Sequence, residues 1–145
     1  MWTQLNEKLK TILEANTKIQ EVYDWEKEQF NGDPVATLSA ASNESNYATT
    51  SENVRVYSFS IKLFVNRNNR TDQDSERIMR ELVDTVVDDL DKNYTLTGIN
   101  NPAGKTLLFI EAIPSAWGYV ELDGIYRMAE IIVKAHINID LNLIS

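Results

Sequence analysis

Apolar and polar positions alternate along this chain with two periods, and each period predicts one kind of element. Between Trp2 and Ala15 the apolar residues recur at helical spacing, which predicts an amphipathic helix that ends near Asn16. A second helix is predicted from Thr71 to about Lys92, because Thr71 and Asp74 resemble a capping box. Its apolar stripe consists of Ile78, Leu82, Val86 and Leu90.

A period of two predicts the strands. The most regular alternation covers residues 54–65 and 129–139, where the odd positions from Tyr57 to Val65 and from Ala129 to Ile139 are apolar. Looser patterns predict strands at 19–25 and 35–38, and an extended segment at 107–113 that Pro114 interrupts. A proline in such a segment indicates an edge strand or a bulge. Asp123-Gly124 indicates a tight hairpin turn with positive φ values before the last strand.

This order of elements predicts an α+β fold. We expect a mainly antiparallel sheet of four to five strands with both helices packed on one face, in a single domain over residues 1–145. The other face is expected to be polar and to meet water, a neighbouring subunit or a lumen. Its residues would be Ser58, Ser60, Lys62, Glu130, Lys134 and His136.

Residues 39–53 form a polar stretch with almost no large side chains, between two predicted strands. The sequence predicts a long loop here, which is uncommon in a small domain unless it is functional or disordered. We therefore expect this loop to contact a partner. The candidate contact residues are Asn43, Glu44, Asn46 and Tyr47.

Composition narrows the classes of function. The 145 residues carry a net charge of -8 and include no cysteine, so disulfides and thiolate chemistry are excluded. The negative charge opposes non-specific binding to nucleic acid. No apolar run has the length of a signal peptide or of a membrane span, which indicates a protein made or assembled in the cytoplasm.

Two features imitate chemical sites. Gly104-Lys105-Thr106 resembles the end of a phosphate-binding loop, but the first glycine is missing and a strand follows, so a turn is the better interpretation. His136 lies on the polar side of the last strand, with no nucleophile motif to accompany it. We expect no enzymatic activity, no cofactor and no bound metal.

Two further groups indicate contact surfaces. Asp84, Asp88, Asp89 and Asp91 lie towards the C-terminal end of the second helix, where acidic side chains oppose the helix dipole. We hypothesise that they meet a basic surface on another subunit or protein. Trp117 and Tyr119, near Tyr126 and Met128, have the composition of an interface core or of packing inside the domain.

Several segments together resemble small tail terminator or tail-completion proteins of long-tailed phages. They are Gly32-Asp33-Pro34-Val35-Ala36, Asn43-Glu44-Ser45-Asn46-Tyr47 with Thr49-Thr50, Asn53-Val54-Arg55-Val56-Tyr57-Ser58-Phe59-Ser60-Ile61, Met79-Arg80-Glu81-Leu82-Val83-Asp84, Gly118-Tyr119 and Arg127-Met128-Ala129-Glu130-Ile131. The resemblance covers most of the chain, and its motifs are signatures of fold rather than of catalysis.

The resemblance implies a structural role in the virion, at the tail or neck. Members of that family form rings, commonly hexamers, that end the polymerisation of the tail tube and offer a surface to the head connector. The expected partners are other copies of this chain, the tail tube protein and a connector or stopper protein, with no membrane. DNA would pass through the lumen without specific binding.

Two alternatives remain open from the sequence. One is a head-completion or connector protein of the phage neck, which has similar size and patterning. The other, from a different class, is a small ligand-binding or hydrolytic α+β domain with the aromatic hairpin as its pocket.

Overall fold

A computed structural model describes residues 1–47, 49–68 and 70–144, and these form a sheet of five strands with two helices. The elements are α1 (Trp2–Ala15), β1 (Glu21–Tyr23), β2 (Val35–Tyr47), β3 (Glu52–Asn66), α2 (Asp72–Lys92), β4 (Lys105–Glu121) and β5 (Ile125–Asp140). The strand order is β1-β2-β3-β5-β4. The predicted α+β fold with two helices is therefore confirmed.

Both helices form where the apolar periodicity predicts them. α1 buries Leu5, Leu9 and Leu13, which lie on one helical face. At the start of α2 the Thr71 side chain accepts a hydrogen bond from the Asp74 amide at 3.1 Å, which satisfies a donor that the first helical turn leaves unpaired. The two helices thus begin and end close to the predicted residues.

The long strands pair antiparallel and place their apolar residues towards the helices. β3 pairs with β5 from Glu52↔Asp140 to Asn66↔Tyr126. Every odd position of β5 from Ala129 to Ile139 is buried, as the alternation predicts. These side chains and those of α1 and α2 form one hydrophobic core. We call this side of the sheet the helix face and the other side the open face.

The edge position and the bulge predicted for β4 are confirmed, whereas the tight two-residue turn predicted after it is not found. β4 is an edge strand, and its register with β5 shifts between Pro114 and Ala116, so the proline marks both an edge and a bulge. The turn from β4 to β5 spans Leu122 to Gly124, with Leu122 donating to the Gly124 carbonyl at 2.9 Å. It is longer than the predicted two-residue turn, and Gly124 does not have a positive φ.

The prediction of a polar loop at residues 39–53 is wrong. β2 continues to Tyr47 and β3 begins at Glu52, and the two strands pair from Val35↔Phe64 to Tyr47↔Asn53. Only the tip of this hairpin lies between the strands, and Ala48 is outside the described residues. The ladder with β3 satisfies the backbone groups on one side of this polar stretch, so it forms a strand without large side chains.

The predicted strand at 19–25 is much shorter in the structure. β1 comprises three residues, Glu21–Tyr23, and pairs parallel with β2 from Glu21↔Val35 to Tyr23↔Thr37. The sheet is therefore mixed, with one short parallel pair beside three antiparallel pairs.

The open face is less polar than the sequence predicts. The segment that follows β1 crosses this face and places Phe30 against Phe64 and Tyr126, with ring centroids 4.9 and 5.3 Å apart. Ser58 and Ser60 are buried on the same face, and Ser60 donates to a carboxylate oxygen of Glu130 at 2.6 Å. A second, aromatic cluster thus covers one end of the open face. Neither described helix is both long and apolar enough to span a bilayer.

Candidate functional site

The sheet is open along part of both of its edges. On one side β1 pairs only with residues 35–37 of β2, so no described strand pairs with β2 beyond that point. We call residues 39–47 the arm edge. All of its side chains from Ala40 onward are exposed. An exposed row of backbone N–H and C=O groups is a template for pairing with another strand.

The arm edge contains four of the predicted contact residues: Asn43, Glu44, Asn46 and Tyr47. Most of its side chains are small and polar, and Tyr47 is the exception, with 66% of its surface exposed. Natural edge strands are usually protected by lysine, proline or a covering element. The arm edge has neither lysine nor proline, and Glu44 is its only charged residue.

The opposite edge, β4, is covered over its first half by the connection that precedes it. The Ile110 amide donates to the Tyr94 carbonyl at 2.8 Å, and the Leu107 amide donates to the Asn101 side-chain oxygen at 3.3 Å. These bonds satisfy two of the outward-facing amides of this half. Sequence reasoning treated residues 93–105 as a plain connection and missed this role, since nothing in Asn- and Gly-rich composition signals it.

The second half of β4, which we call the aromatic edge (residues 113–121), is uncovered. Its backbone makes no hydrogen bond outside the β4–β5 ladder among the described residues. Ile113, Trp117 and Tyr119 are 40, 41 and 50% exposed. The predicted aromatic contact residues therefore lie on an open sheet edge rather than in a pocket or core.

Two arginines hold the aromatic rings in place. Trp117 and Tyr119 pair with Ala129 and Arg127 on the helix face, and the Arg127 guanidinium lies 5.6 and 5.0 Å from their ring centroids. Arg67 lies 5.7 Å from the Tyr119 ring on the same side. Cation–π contacts of this kind fix the rings at the surface, and Trp, Tyr and Arg are the residues that contribute most to interface affinity.

The acidic group lies apart from both edges. Asp84 and Asp88 are exposed on α2 and make no salt bridge among the described residues. Asp91 is exposed as well, whereas Asp89 accepts a hydrogen bond from the Asn16 side-chain Nδ2 at 3.0 Å. The structure therefore divides the four predicted acids into three that face solvent and one that ties α2 to the end of α1.

The glycine turn at Gly104 and the histidine at position 136, which resemble chemical sites in the sequence, both make contacts that belong to the fold. Gly104 has φ 75° at the turn into β4, where an added Cβ would lie 3.0 Å from the Asp140 carbonyl oxygen. His136 lies on the open face with Nε2 2.6 Å from Glu111 Oε1, and its ring stacks on Phe109 at 4.4 Å. Within the described ranges, no group of three or more His, Asp or Glu side chains is placed to hold a metal ion.

No protein-family model fits the chain, and no curated protein matches its sequence.

Proposed function

We propose that this chain is a structural virion protein that forms a ring on the end of a phage tail tube, stops polymerisation of the tube and offers a docking surface to the head connector. One observation carries the ring: the sheet has two open edges that differ in sequence and lie on opposite sides of the same protomer. A contact between unlike surfaces is heterologous, and it generates a ring when its rotation closes.

The composition of the two edges supports assembly by strand pairing. The aromatic edge supplies large apolar side chains, and the arm edge supplies small polar ones that leave its backbone accessible. Strand addition of this kind takes its affinity from main-chain hydrogen bonds and its specificity from alternate side chains. An isolated protomer would leave both edges as aggregation hazards.

The place in the virion rests on the sequence resemblance to tail terminator and tail-completion proteins. The net charge of -8 is compatible with a ring around a DNA channel, because like charges reduce adhesion to phosphates. The exposed carboxylates Asp84 and Asp88 on α2 provide a surface for a basic neighbour such as a tube or connector protein.

The proposal is tested by measuring mass and shape together. We expect light scattering after size-exclusion chromatography to give a mass several times that of the 16.6 kDa chain, and negative-stain electron microscopy to show rings. In virions, labelled protein should lie where the tail tube meets the neck. A protein that stays monomeric at every concentration and is missing from virions contradicts the proposal, and label on the head side of the neck would favour a head-completion protein instead.

A further inference from the structure

The uncovered parts of the two edges lie at opposite ends of the strands. Leu38, Ile61, Ile131 and Pro114 pair in succession across β2, β3, β5 and β4, so they lie at the same height along the strands. The arm edge begins at this level and runs towards the hairpin tip. The aromatic edge also begins at this level and runs the other way, towards the turn between β4 and β5. Two copies side by side at equal height therefore do not bring the uncovered segments together.

A steric obstacle also opposes pairing at equal height. β1 occupies the side of β2 at residues 35–37, and Thr37 is level with Ala116 through Lys62 and Glu130. A neighbouring β4 at equal height would run its segment 116–121 into β1. The first half of that neighbouring β4 would then face the arm edge. Two of its amides, those of Ile110 and Leu107, already donate hydrogen bonds to Tyr94 and Asn101.

We propose that the copies associate with a stagger, so that the aromatic edge (113–121) of one copy pairs antiparallel with the arm edge (39–47) of the next. This inference rests on the ring proposed above and specifies its contact. β2 and β4 run in opposite directions within the sheet, so copies in the same orientation present antiparallel edges. With this shift along the strand direction, the neighbouring β4 does not collide with β1. The covered first half of β4 and the part of β2 beside β1 both lie outside the contact.

The side chains of the two segments suit this pairing. In the staggered arrangement Trp117 falls near Asn43 and Tyr119 near Ala40 on the helix face, where these small residues leave room for the indole and phenol rings. Glu121 falls near Ser39, several residues away from Glu44. The only acids of the two segments therefore do not oppose each other.

The stagger has a consequence for the shape of the ring. When neighbouring strands are offset along their length, a closed assembly requires the strands to tilt against its axis. The strands of this ring therefore lie oblique to the channel. Once the ring closes, every uncovered edge is paired with a neighbour, so the assembly does not continue as a filament.

Cysteine cross-linking tests the register, because the chain has no native cysteine. A cysteine at Ala116, exposed on the open face, is combined in turn with Ser42→Cys, Glu44→Cys or Asn46→Cys, which share that face. Under mild oxidation we expect at least one pair to give a ladder of covalent multimers on a non-reducing gel, since a disulfide needs Cα atoms within about 7 Å.

The matched control places the second cysteine at equal height. Asn46 is level with Thr106 through Val54 and Asn138, so Asn46→Cys with Thr106→Cys reports pairing without a stagger. We expect this pair, and each single-cysteine variant, to give no ladder. Circular dichroism and light scattering before oxidation establish that each variant folds and assembles.

The outcomes separate the two proposals. Rings that cross-link through Thr106, or through none of the Ala116 pairs, overturn the staggered register and leave the ring intact. A covalent dimer from Ala116→Cys alone, together with a light-scattering mass of two chains before oxidation, would show that β4 pairs with itself and would overturn both. If the wild type and all of the variants fold but remain monomeric, the proposal of a ring is itself overturned.

Discussion

The Arg127 guanidinium donates to Glu76 Oε2 at 2.7 Å, and this ion pair ties the start of β5 to the first turns of α2. The same guanidinium lies 5.0 Å from the Tyr119 ring on the neighbouring strand. The position of the aromatic edge therefore depends on how α2 sits on the sheet, because Arg127 contacts both.

The first prediction concerns this ion pair. The Arg127 side chain is only 13% exposed, so Arg127→Ala leaves Glu76 with only the more distant Arg80 and removes the cation from beside the ring. We expect the free energy of unfolding in urea to fall by about 1–3 kcal/mol. Arg80→Ala is the control, since Arg80 is 63% exposed and 4.0 Å from Glu76, and its effect should stay within about 0.5 kcal/mol. Equal losses in the two variants would contradict the assignment.

The elements with one buried face were predictable from the sequence. β5 alternates because its odd residues meet the helices, and α2 repeats every three or four residues because one stripe meets the sheet. Each pattern is a direct record of burial, which is why residues 129–139 and the stripe of α2 were placed correctly.

The arm edge was not predictable in the same way. Both sides of residues 40–47 face solvent, so their side chains carry no alternation from which a strand can be read. These residues form a strand because their backbone pairs with β3, and the alternation of apolar residues in β3 begins only after Asn53. Coverage of β4 by Tyr94 uses a backbone carbonyl, and such a contact leaves no trace in residue type. The candidate contact residues of the two edges are exposed, but their role as contacts stays a prediction, and their setting on sheet edges could not be read from residue type.

The second prediction concerns the start of α2. Thr71→Ala removes the hydroxyl that accepts the Asp74 amide, and we expect a loss of about 1 kcal/mol in the free energy of unfolding. Thr71→Ser keeps the acceptor and should retain most of the stability. Urea titrations followed by circular dichroism measure both. A Thr71→Ser variant as unstable as Thr71→Ala would show that the methyl group, rather than the cap, is what matters.

The third prediction is a pH dependence. Burial, reinforced by a hydrogen bond to Asp123 and by the charges of Asp123 and Asp33, raises the pKa of Tyr126 from 10.0 to about 12. The unfolded chain therefore loses this proton at lower pH than the folded protein does. The contribution of the protonated Tyr126 hydroxyl to the free energy of unfolding is fully present below pH 10 and is lost as the pH rises from about 10 to about 12.

Tyr126→Phe isolates this effect from the other alkaline titrations. The difference in free energy of unfolding between wild type and variant should shift against the wild type as the pH rises from about 10 towards about 12, as measured by urea denaturation. A difference that stays constant over this range would show that the Tyr126 hydroxyl titrates alike in both states.

The fourth prediction compares the two halves of β4. Trp117 and Leu108 are similarly exposed, at 41 and 45%, but Trp117 lies on the aromatic edge and Leu108 on the covered half. Trp117→Ala should weaken assembly about tenfold or more, because buried interface tryptophans are common hot spots. Leu108→Ala should leave assembly unchanged. Mass photometry over a dilution series measures both, and equal effects would remove the aromatic edge from the interface.

The fifth prediction separates stability from assembly on α2. Asp84 and Asp88 are one helical turn apart and repel each other, and Asp88 and Asp91 also oppose the helix dipole. Replacing all three by Asn should therefore raise the free energy of unfolding, by about 0.3–1 kcal/mol for the dipole alone. If these carboxylates meet a basic partner, the same change should weaken binding to assembled tubes or connectors at an ionic strength of about 0.01 M more than at about 0.15 M.

Glu14→Gln is the matched control for this triple variant. Glu14 is exposed in the last turn of α1, where a carboxylate has the same unfavourable relation to the helix dipole. Its removal should stabilise the fold by a similar amount and leave partner binding unaffected at both salt concentrations. The carboxylates of α2 are binding residues only if stability rises in both variants while affinity falls in one. Should affinity stay level in the triple variant too, the acidic run is a solvated helix surface and the partner must be held elsewhere.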